Sequence, residues 1–266
     1  MRIASLGSGS KGNATLVDTG ETLVLIDCGL PRKDVEQRLN HRGLSAQDID
    51  AILVTHEHSD HCRGVVALSK AHSLPVFLTA GTASNRRLQG LERAVVIRPG
   101  DRFDVGDLHV AAEPVPHDAR EPVQFCLQGG GSKLGVLTDL GSITPHVVAA
   151  FSGCDAMVLE FNHDPVMLAE GPYPRSIKAR VGGDFGHLAN AQARQFLEHA
   201  DTSKLKVLFV AHISQQNNQP ELADAALAGW SQLDACAVIH ATQETGFDWI
   251  DLNAVRQPAV VSAQAS

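Results

Sequence analysis

Residues 55–61, Thr-His-Glu-His-Ser-Asp-His, are the stretch of this chain best suited to chemistry. His56 and His58 lie two apart, so in an extended loop they project to the same side and could bind one metal ion. Asp60 and His61 follow as the chain turns and could bind a second. Two adjacent cations suit hydrolysis, because one activates water while the other stabilises the developing charge. The alternative is a solvated, histidine-rich turn.

The segments around this motif place it on a loop between a strand and a helix. Residues 51–55 are a short apolar run with β-branched members, typical of a buried strand, and residues 64–70 indicate the start of a helix. Such a loop lies at a sheet edge, where a rigid scaffold can aim side chains. Other apolar segments also end in ligand-type residues, and we expect them to meet on the same rim: Asp27, His117, Asp139, Glu160 and His212.

The H-x-H-x-D-H pattern of residues 56–61 resembles the motif of the metallo-β-lactamase-fold hydrolases. The resemblance implies an α/β protein with layered elements, an αββα sandwich, and a two-metal site at one edge of its sheets. It also implies that Asp27 positions a ligand or loop of the motif without binding the metal itself. The alternative for Asp27 is a simple turn residue at the end of a strand. The implied metal ligands are His56, His58 and His117 for one ion, Asp60, His61 and His212 for the other, and Asp139 together with a hydroxide between them.

Nitrogen and oxygen ligands without a thiolate suit Zn²⁺, Mn²⁺ or Fe, and the sequence does not choose among these divalent ions. Cys62 adjoins the motif. We expect it to be a small residue that starts the helix, with a ligand role as the alternative.

Five further motifs, in this order, resemble the YycJ/WalJ-type proteins, which are bacterial DNA exonucleases of the same fold. The resemblance spans roughly residues 2–251, and Ala189 and Gln216 depart from the usual Ser and Glu at two positions that are not presumed ligands. The motifs are S-G-S-K-G-N at 8–13, E-x-N-H-D at 160–164, G-P-Y-P-x-x-x-K-x-R at 171–180, G-H-L-x-N at 186–190 and A-H-x-S-x-x-N-N at 211–218.

This resemblance implies a dinuclear phosphodiesterase that removes nucleotides from a DNA end, by attack of the bridging hydroxide on phosphorus. His187, set by Glu160, could then donate a proton to the leaving oxygen or bind a phosphate oxygen. The alternative for His187 is a histidine that caps the entry to a helix.

Two groups of residues could bind the substrate. The loop with Ser8, Ser10, Lys11 and Asn13 could cradle a phosphate, although on composition alone an ordinary hairpin connection is favoured. The polar stretch 171–180 could guide a strand and stack a base, or could be a solvated loop. Its candidate residues, with two from the preceding motif, are Tyr173, Arg175, Lys178, Arg180, Asn162 and His163. Arg86 and Arg87 are expected on a solvated helix face.

Other functions remain open at this point. One is a different hydrolase of the same fold, such as a thioesterase of the glyoxalase II kind or a phosphodiesterase acting on RNA or a cyclic phosphate. Another is a non-catalytic, metal-stabilised binding module. The DNA-or-RNA preference, the oligomeric state and the metal identity are left undecided.

Composition and charge limit the class of protein that this chain could be and the place where it could act. The formal net charge of the 266 residues is −8, which weighs against broad non-specific binding of nucleic acid but leaves a nuclease open, because bound metals add positive charge locally. No apolar run approaches the ~20 residues of a membrane span, and the first residues show no signal-peptide pattern. The five cysteines are odd in number and scattered along the chain, which argues against a framework of disulfide bonds. We expect a cytoplasmic protein with one domain over residues 1–255 and a disordered tail over 256–266.

Overall fold

In the computed structural model, which describes residues 1–255, fourteen strands form two seven-stranded sheets. The strands are β1 Arg2–Gly7, β2 Ala14–Asp18, β3 Leu23–Ile26, β4 Ala51–Leu53, β5 Val76–Thr79, β6 Ala94–Ile97, β7 Arg102–Val105, β8 Leu108–Pro114, β9 Val123–Gly129, β10 Ser132–Leu137, β11 Ala156–Glu160, β12 Val207–Ala211, β13 Ala237–His240 and β14 Phe247–Asp251. The first sheet has the order β14-β1-β2-β3-β4-β5-β6 and the second the order β13-β12-β11-β10-β9-β8-β7.

The described chain also contains nine helices, several of which pack on the outer faces of these sheets. They are α1 Arg32–Asn40, α2 Ser59–Cys62, α3 Val65–His72, α4 Ala80–Ala83, α5 Pro145–Phe151, α6 Pro165–Glu170, α7 Arg175–Val181, α8 Asn190–His199 and α9 Pro220–Leu227. Short 3₁₀ turns lie between these elements at Ala46–Asp48, Arg86–Leu88 and Leu233–Ala235.

Three apolar clusters hold the layers together. The central one joins side chains of both sheets, such as Val17 and Val24 with Phe125 and Phe209. The second lies between the first sheet and its helices, and the third between the second sheet and its helices. Alternate residues of one strand therefore enter different clusters, which explains why the strands are apolar on both faces. The arrangement is the predicted αββα sandwich.

Strand direction explains why the site forms at one edge. Strands β3, β4 and β5 are parallel in the first sheet, and β10, β11 and β12 are parallel in the second. The loops after their carboxyl ends therefore meet at the same rim, and these loops carry most of the candidate residues. Strand β8 runs in the same direction as β10, because each pairs antiparallel with β9 between them, so the loop after β8 reaches this rim as well.

The stretch 171–180, for which a solvated loop was one of two alternatives, is partly helical. Residues 175–181 form α7, which starts directly after Pro174. Proline at a helix start loses nothing, since its missing N–H would have had no partner there. The helix that opens at Pro220 ends at Leu227, and the chain turns before Trp230, which is buried.

Within residues 1–255, no helix has the length and apolar character that a membrane crossing requires. All five cysteines are buried and none forms a disulfide. The predicted tail, 256–266, lies outside the described residues, and the single domain over 1–255 stays a prediction.

Candidate metal centre

Asp27 ties together the two ends of the histidine-rich loop. Its carboxylate is buried at the end of β3, and it accepts hydrogen bonds from the Thr55 backbone N–H at 2.8 Å and from the Thr55 hydroxyl at 2.9 Å. The same carboxylate lies 2.7 Å from Nδ1 of His61. Asp27 thus contacts the first and last residues of the motif, which is the position that the sequence resemblance implied for it.

The loop fits closely against a neighbouring glycine. A Cβ added to Gly29 would lie 1.7 Å from the backbone oxygen of Asp60, and Asn13 N–H also bonds to that oxygen at 2.7 Å. Any side chain at position 29 would therefore push the backbone that carries Asp60 out of place.

Gly29→Ala should destabilise the protein by about 1–3 kcal/mol, as overpacking of a well-packed region does, and should reduce its metal content. Thermal unfolding and elemental analysis of the purified variant would measure both. Gly182→Ala is a suitable control, because its nearest contact would be the end of the Leu168 side chain at 3.3 Å. Equal stability of the two variants would contradict this account of the loop.

Backbone and side-chain acceptors orient three imidazoles towards a common point. His61 faces the carboxylate of Asp27 through Nδ1, His117 faces the Gly186 carbonyl at 3.0 Å, and His212 faces the Thr138 carbonyl at 2.7 Å. Each acceptor favours the N–H on Nδ1, which leaves Nε2 as the atom that would bind a metal ion. These contacts therefore prepare all three rings for a metal ion.

The candidate ligands among the described residues form four overlapping groups, and within each group the ligand atoms lie no more than 4.8 Å apart. Two of the groups contain Asp139, and the other two share no residue with each other. The first of these other two holds His56, His58 and His117, with Nδ1 of His58 3.2 Å from Nε2 of His117. The second holds Asp60, His61 and His212, where Oδ2 of Asp60 lies 3.6 Å from Nε2 of each histidine. These are the two sets that the sequence resemblance implied.

Asp139, which follows β10, reaches both groups. Its Oδ2 lies 2.9 Å from Nε2 of His61, and its Oδ1 lies 3.8 Å from Nε2 of His117. The side chain is 1% exposed, so its charge is not offset by solvent.

Among the described residues, two buried ring nitrogens of the cluster have no hydrogen-bond partner: Nε2 of His56 and Nε2 of His212. A buried polar atom without a partner costs about 1–3 kcal/mol. A cation would satisfy both, and the surrounding ligand atoms are the nitrogen and oxygen atoms that divalent metals accept. The residues present therefore fit a divalent metal ion.

The electrostatics of the cluster point the same way. Burial, reinforced by His61, lowers the pKa of His56 well below its usual value, so this ring is neutral. Burial acts against the charge of Asp139, but His212 and His61 outweigh it and lower the pKa of that carboxyl. Burial likewise opposes the charge of His212, yet Asp139 and the other carboxylates raise its pKa to about 10. A metal ion at His212 would take the place of that proton.

His187 lies beside the two groups. Its Nδ1 is 3.2 Å from Oε2 of Glu160 and 3.2 Å from Oδ1 of Asp139. Although burial lowers the pKa of His187, these two carboxylates raise it to about 9. Glu160 is fully buried and also accepts the backbone N–H groups of Leu140, at 2.5 Å, and Leu188, at 3.2 Å. The expected link between Glu160 and His187 is thus present, and it leaves Nε2 of His187 free.

A cavity of about 400 Å³ opens over the cluster. Of the residues predicted to bind substrate, four line it: Ser10, Asn162, Tyr173 and Arg180. The other six do not line it: Ser8, Lys11, Asn13, His163, Arg175 and Lys178.

Three of those six are occupied elsewhere. The Ser8 hydroxyl accepts the His212 backbone N–H at 2.9 Å, and Asn13 bonds to Gly9 within its own loop, so both support the backbone near the cluster. Lys178 donates to the Ala169 carbonyl at 2.5 Å. Structural support therefore explains the glycine-serine loop at least as well as phosphate binding does.

Sequence reasoning missed several residues that line the cavity: Glu57, Ser59, Asn85, Arg87, Val181, Ser214 and Asn217. Glu57 and Ser59 alternate with the predicted ligands, and Ser214 and Asn217 belong to a quoted motif, so their positions were available. Arg87 is exposed in a 3₁₀ turn, in agreement with the expected solvated helix face, and it also lines the cavity, which the sequence did not predict.

Two sheets packed between helical layers, with a histidine and aspartate cluster on their common rim, define a metallo-β-lactamase fold. The crystal structure of the metallo-β-lactamase fold protein YhfI from Bacillus subtilis superposes with a TM-score of 0.72 at 15% identity, covering 94% of this chain and 99% of that one.

The chain belongs to the β-lactamase superfamily: the family described as Beta-lactamase superfamily domain matches residues 22–213. It is 36% identical over 227 residues to a Bacillus anthracis protein named exodeoxyribonuclease YycJ, covering 84% of this chain and 86% of the relative. It is 29% identical to a protein named exodeoxyribonuclease WalJ from Streptococcus pneumoniae serotype 2 strain D39, covering 82% and 83%. The protein is a metal-dependent hydrolase.

Proposed function

We propose that this hydrolase is a phosphodiesterase that degrades DNA from an end with the help of two divalent metal ions. The observation that carries the proposal is the similarity to two proteins named exodeoxyribonucleases, which extends over more than four-fifths of the chain. The cavity over the metal cluster supports it, since arginine, amide and hydroxyl groups line its walls.

The two groups of ligands would each hold one ion, with Asp139 between them. When bound, the two ions would supply an activated water and offset the charge that builds up on the phosphate oxygens. Zn²⁺, Mn²⁺ and Fe all suit these donors.

His187 would act on the substrate directly. Its Nδ1 is directed at Glu160 and Asp139, and its side chain lines the cavity, so Nε2 is the atom left to face a phosphate. From that position it could donate a proton to the leaving oxygen or bind a non-bridging oxygen. Glu160 would hold the ring in this orientation.

The cavity walls would bind the nucleotide next to the scissile bond. Tyr173 is half-buried and lines the cavity, where its ring could stack on a base. Ser10 and Asn162 offer hydrogen bonds, whereas Arg180 is already paired with Asp118. Ser8, Lys11, Asn13, His163, Arg175 and Lys178 remain predicted substrate residues that act, if at all, from outside this cavity.

End-labelled single- and double-stranded DNA and RNA, incubated with protein loaded with Mn²⁺ or Zn²⁺, should test the proposal. We expect mononucleotides or short products to be released from DNA ends, and activity to disappear on metal chelation and return on metal addition. Bis-p-nitrophenyl phosphate and S-lactoylglutathione serve as matched small substrates. Turnover of the thioester without cleavage of any nucleic acid would overturn the proposal in favour of a thioesterase.

A further inference from the structure

Arg87 presents a free positive charge to the cavity. Among residues 1–255, the two arginines that line the cavity are Arg87 and Arg180. Arg180 forms an ion pair with Asp118, so most of its charge is already compensated. Arg87 forms no ion pair with any residue of the described chain, and its guanidinium makes no side-chain hydrogen bond there. A guanidinium without a partner can bind a phosphate at two points.

The backbone around Arg87 is fixed at both ends. The Asn85 side chain accepts the Arg87 backbone N–H at 3.0 Å and caps the 3₁₀ turn 86–88. Leu88, the next residue, is buried against the cluster of side chains beneath the first sheet. These anchors hold the backbone of Arg87 beside the cavity. Arg86 and Arg87 are both exposed, and of the two Arg87 lines the cavity whereas Arg86 does not.

The other expected cations do not take this role. Lys178 bonds to a backbone carbonyl, and Arg175 and Lys11 are not among the residues that line the cavity. A chain with a net charge of −8 needs a local cation to hold a polyanion near its metal centre.

We propose that Arg87 binds a backbone phosphate of the nucleic acid and so positions the strand over the metal centre. This proposal rests on the proposed nuclease function and makes Arg87 a positioning residue that distinguishes a polymer from a small phosphodiester. Arg87 would contact the nucleic-acid strand from the side of the cavity next to the first sheet, whereas the cations expected to guide that strand lie on and around α7.

Arg87→Gln, Arg87→Lys and Arg86→Gln form a matched set for the test. With single-stranded DNA we expect Arg87→Gln to raise KM about tenfold or more with a much smaller change in kcat, since a charge-assisted hydrogen bond is lost. Turnover of bis-p-nitrophenyl phosphate should fall much less, so the ratio of the two activities should drop about tenfold. Arg87→Lys should recover part of the loss, and Arg86→Gln should behave like the wild type.

Salt dependence gives a second readout that a purely structural role would not change. Binding to a phosphorothioate single strand should lose about 0.7 from the log–log slope against salt in Arg87→Gln, and nothing in Arg86→Gln. If the wild type cleaves DNA but Arg87→Gln matches Arg86→Gln, the role of Arg87 is wrong while the nuclease proposal stands. If the wild type neither binds nor cleaves nucleic acid, both proposals are overturned.

Discussion

Asp139→Ala should leave a folded protein with almost no phosphodiesterase activity and with fewer than two metal ions per chain. Asp139 is the carboxylate that reaches both groups of histidines, and in the proposed two-metal site it would be the ligand that both ions share. Stabilisation of the transition-state charge is worth several kcal/mol in metal hydrolases, so the loss should be about a thousandfold or more. Steady-state turnover of bis-p-nitrophenyl phosphate and elemental analysis after metal saturation and desalting would measure the two effects.

Asp104→Ala is the matched control, because Asp104 is exposed on β7 and pairs with His109 away from the rim. It should keep wild-type activity and metal content. Circular dichroism and thermal unfolding should show that both variants are folded. One metal ion or none in the saturated wild type would contradict the two-site assignment, whatever the variant does.

His187→Ala should keep the metal ions but lose much of the turnover. If the ring donates a proton to the leaving oxygen, the loss should be on the order of 10²–10⁴-fold, as is typical of general acid catalysis. The effect should appear in kcat more than in KM, and it should shrink for a substrate with a good leaving group such as p-nitrophenolate, which needs little proton donation. Comparing an activated diester with DNA would separate proton donation from phosphate binding.

His199→Ala, at the exposed end of α8, is the matched control for the histidine substitution. Two results would revise the role of His187. Reduced metal content in His187→Ala would make it a ligand, since Asp139, Glu160, His187 and His212 also lie close enough to form a ligand group. Unchanged activity would leave it as a residue that only supports the entry to α8.

The cluster of candidate metal ligands could be predicted from the sequence because its residues follow strands that the apolar pattern identifies. His56, His58, Asp60 and His61 are adjacent in the chain, and parallel strands bring their carboxyl ends to one edge by geometry alone. His117 and His212 were harder, since each is a lone histidine after a strand. The resemblance to a known family selected them, and the structure places them in the expected groups.

The walls of the cavity could not be predicted in the same way. Arg87 lies between a short helix and the buried Leu88, and nothing in its local pattern distinguishes it from Arg86. Arg175 and Lys178 belong to a motif rich in cations. They lie three residues apart in α7 and so share one face of that helix, and neither lines the cavity. Which charged side chain faces a cavity depends on tertiary packing, and a single sequence does not contain that information directly.

The pairing of β1 with β14 has a consequence for the synthesis of the protein. Strand β1 is translated before the other strands of the described chain, yet its neighbour on one side, β14, is the last of those strands. Until β14 emerges from the ribosome, one edge of β1 has unpaired backbone groups of the type that recruits strands from other chains. Closing this contact also requires a loop of almost the whole chain, which slows folding. Among the described strands, the first sheet, which carries the histidine-rich loop, is therefore completed after the second, and until then β1 offers an open edge to other chains.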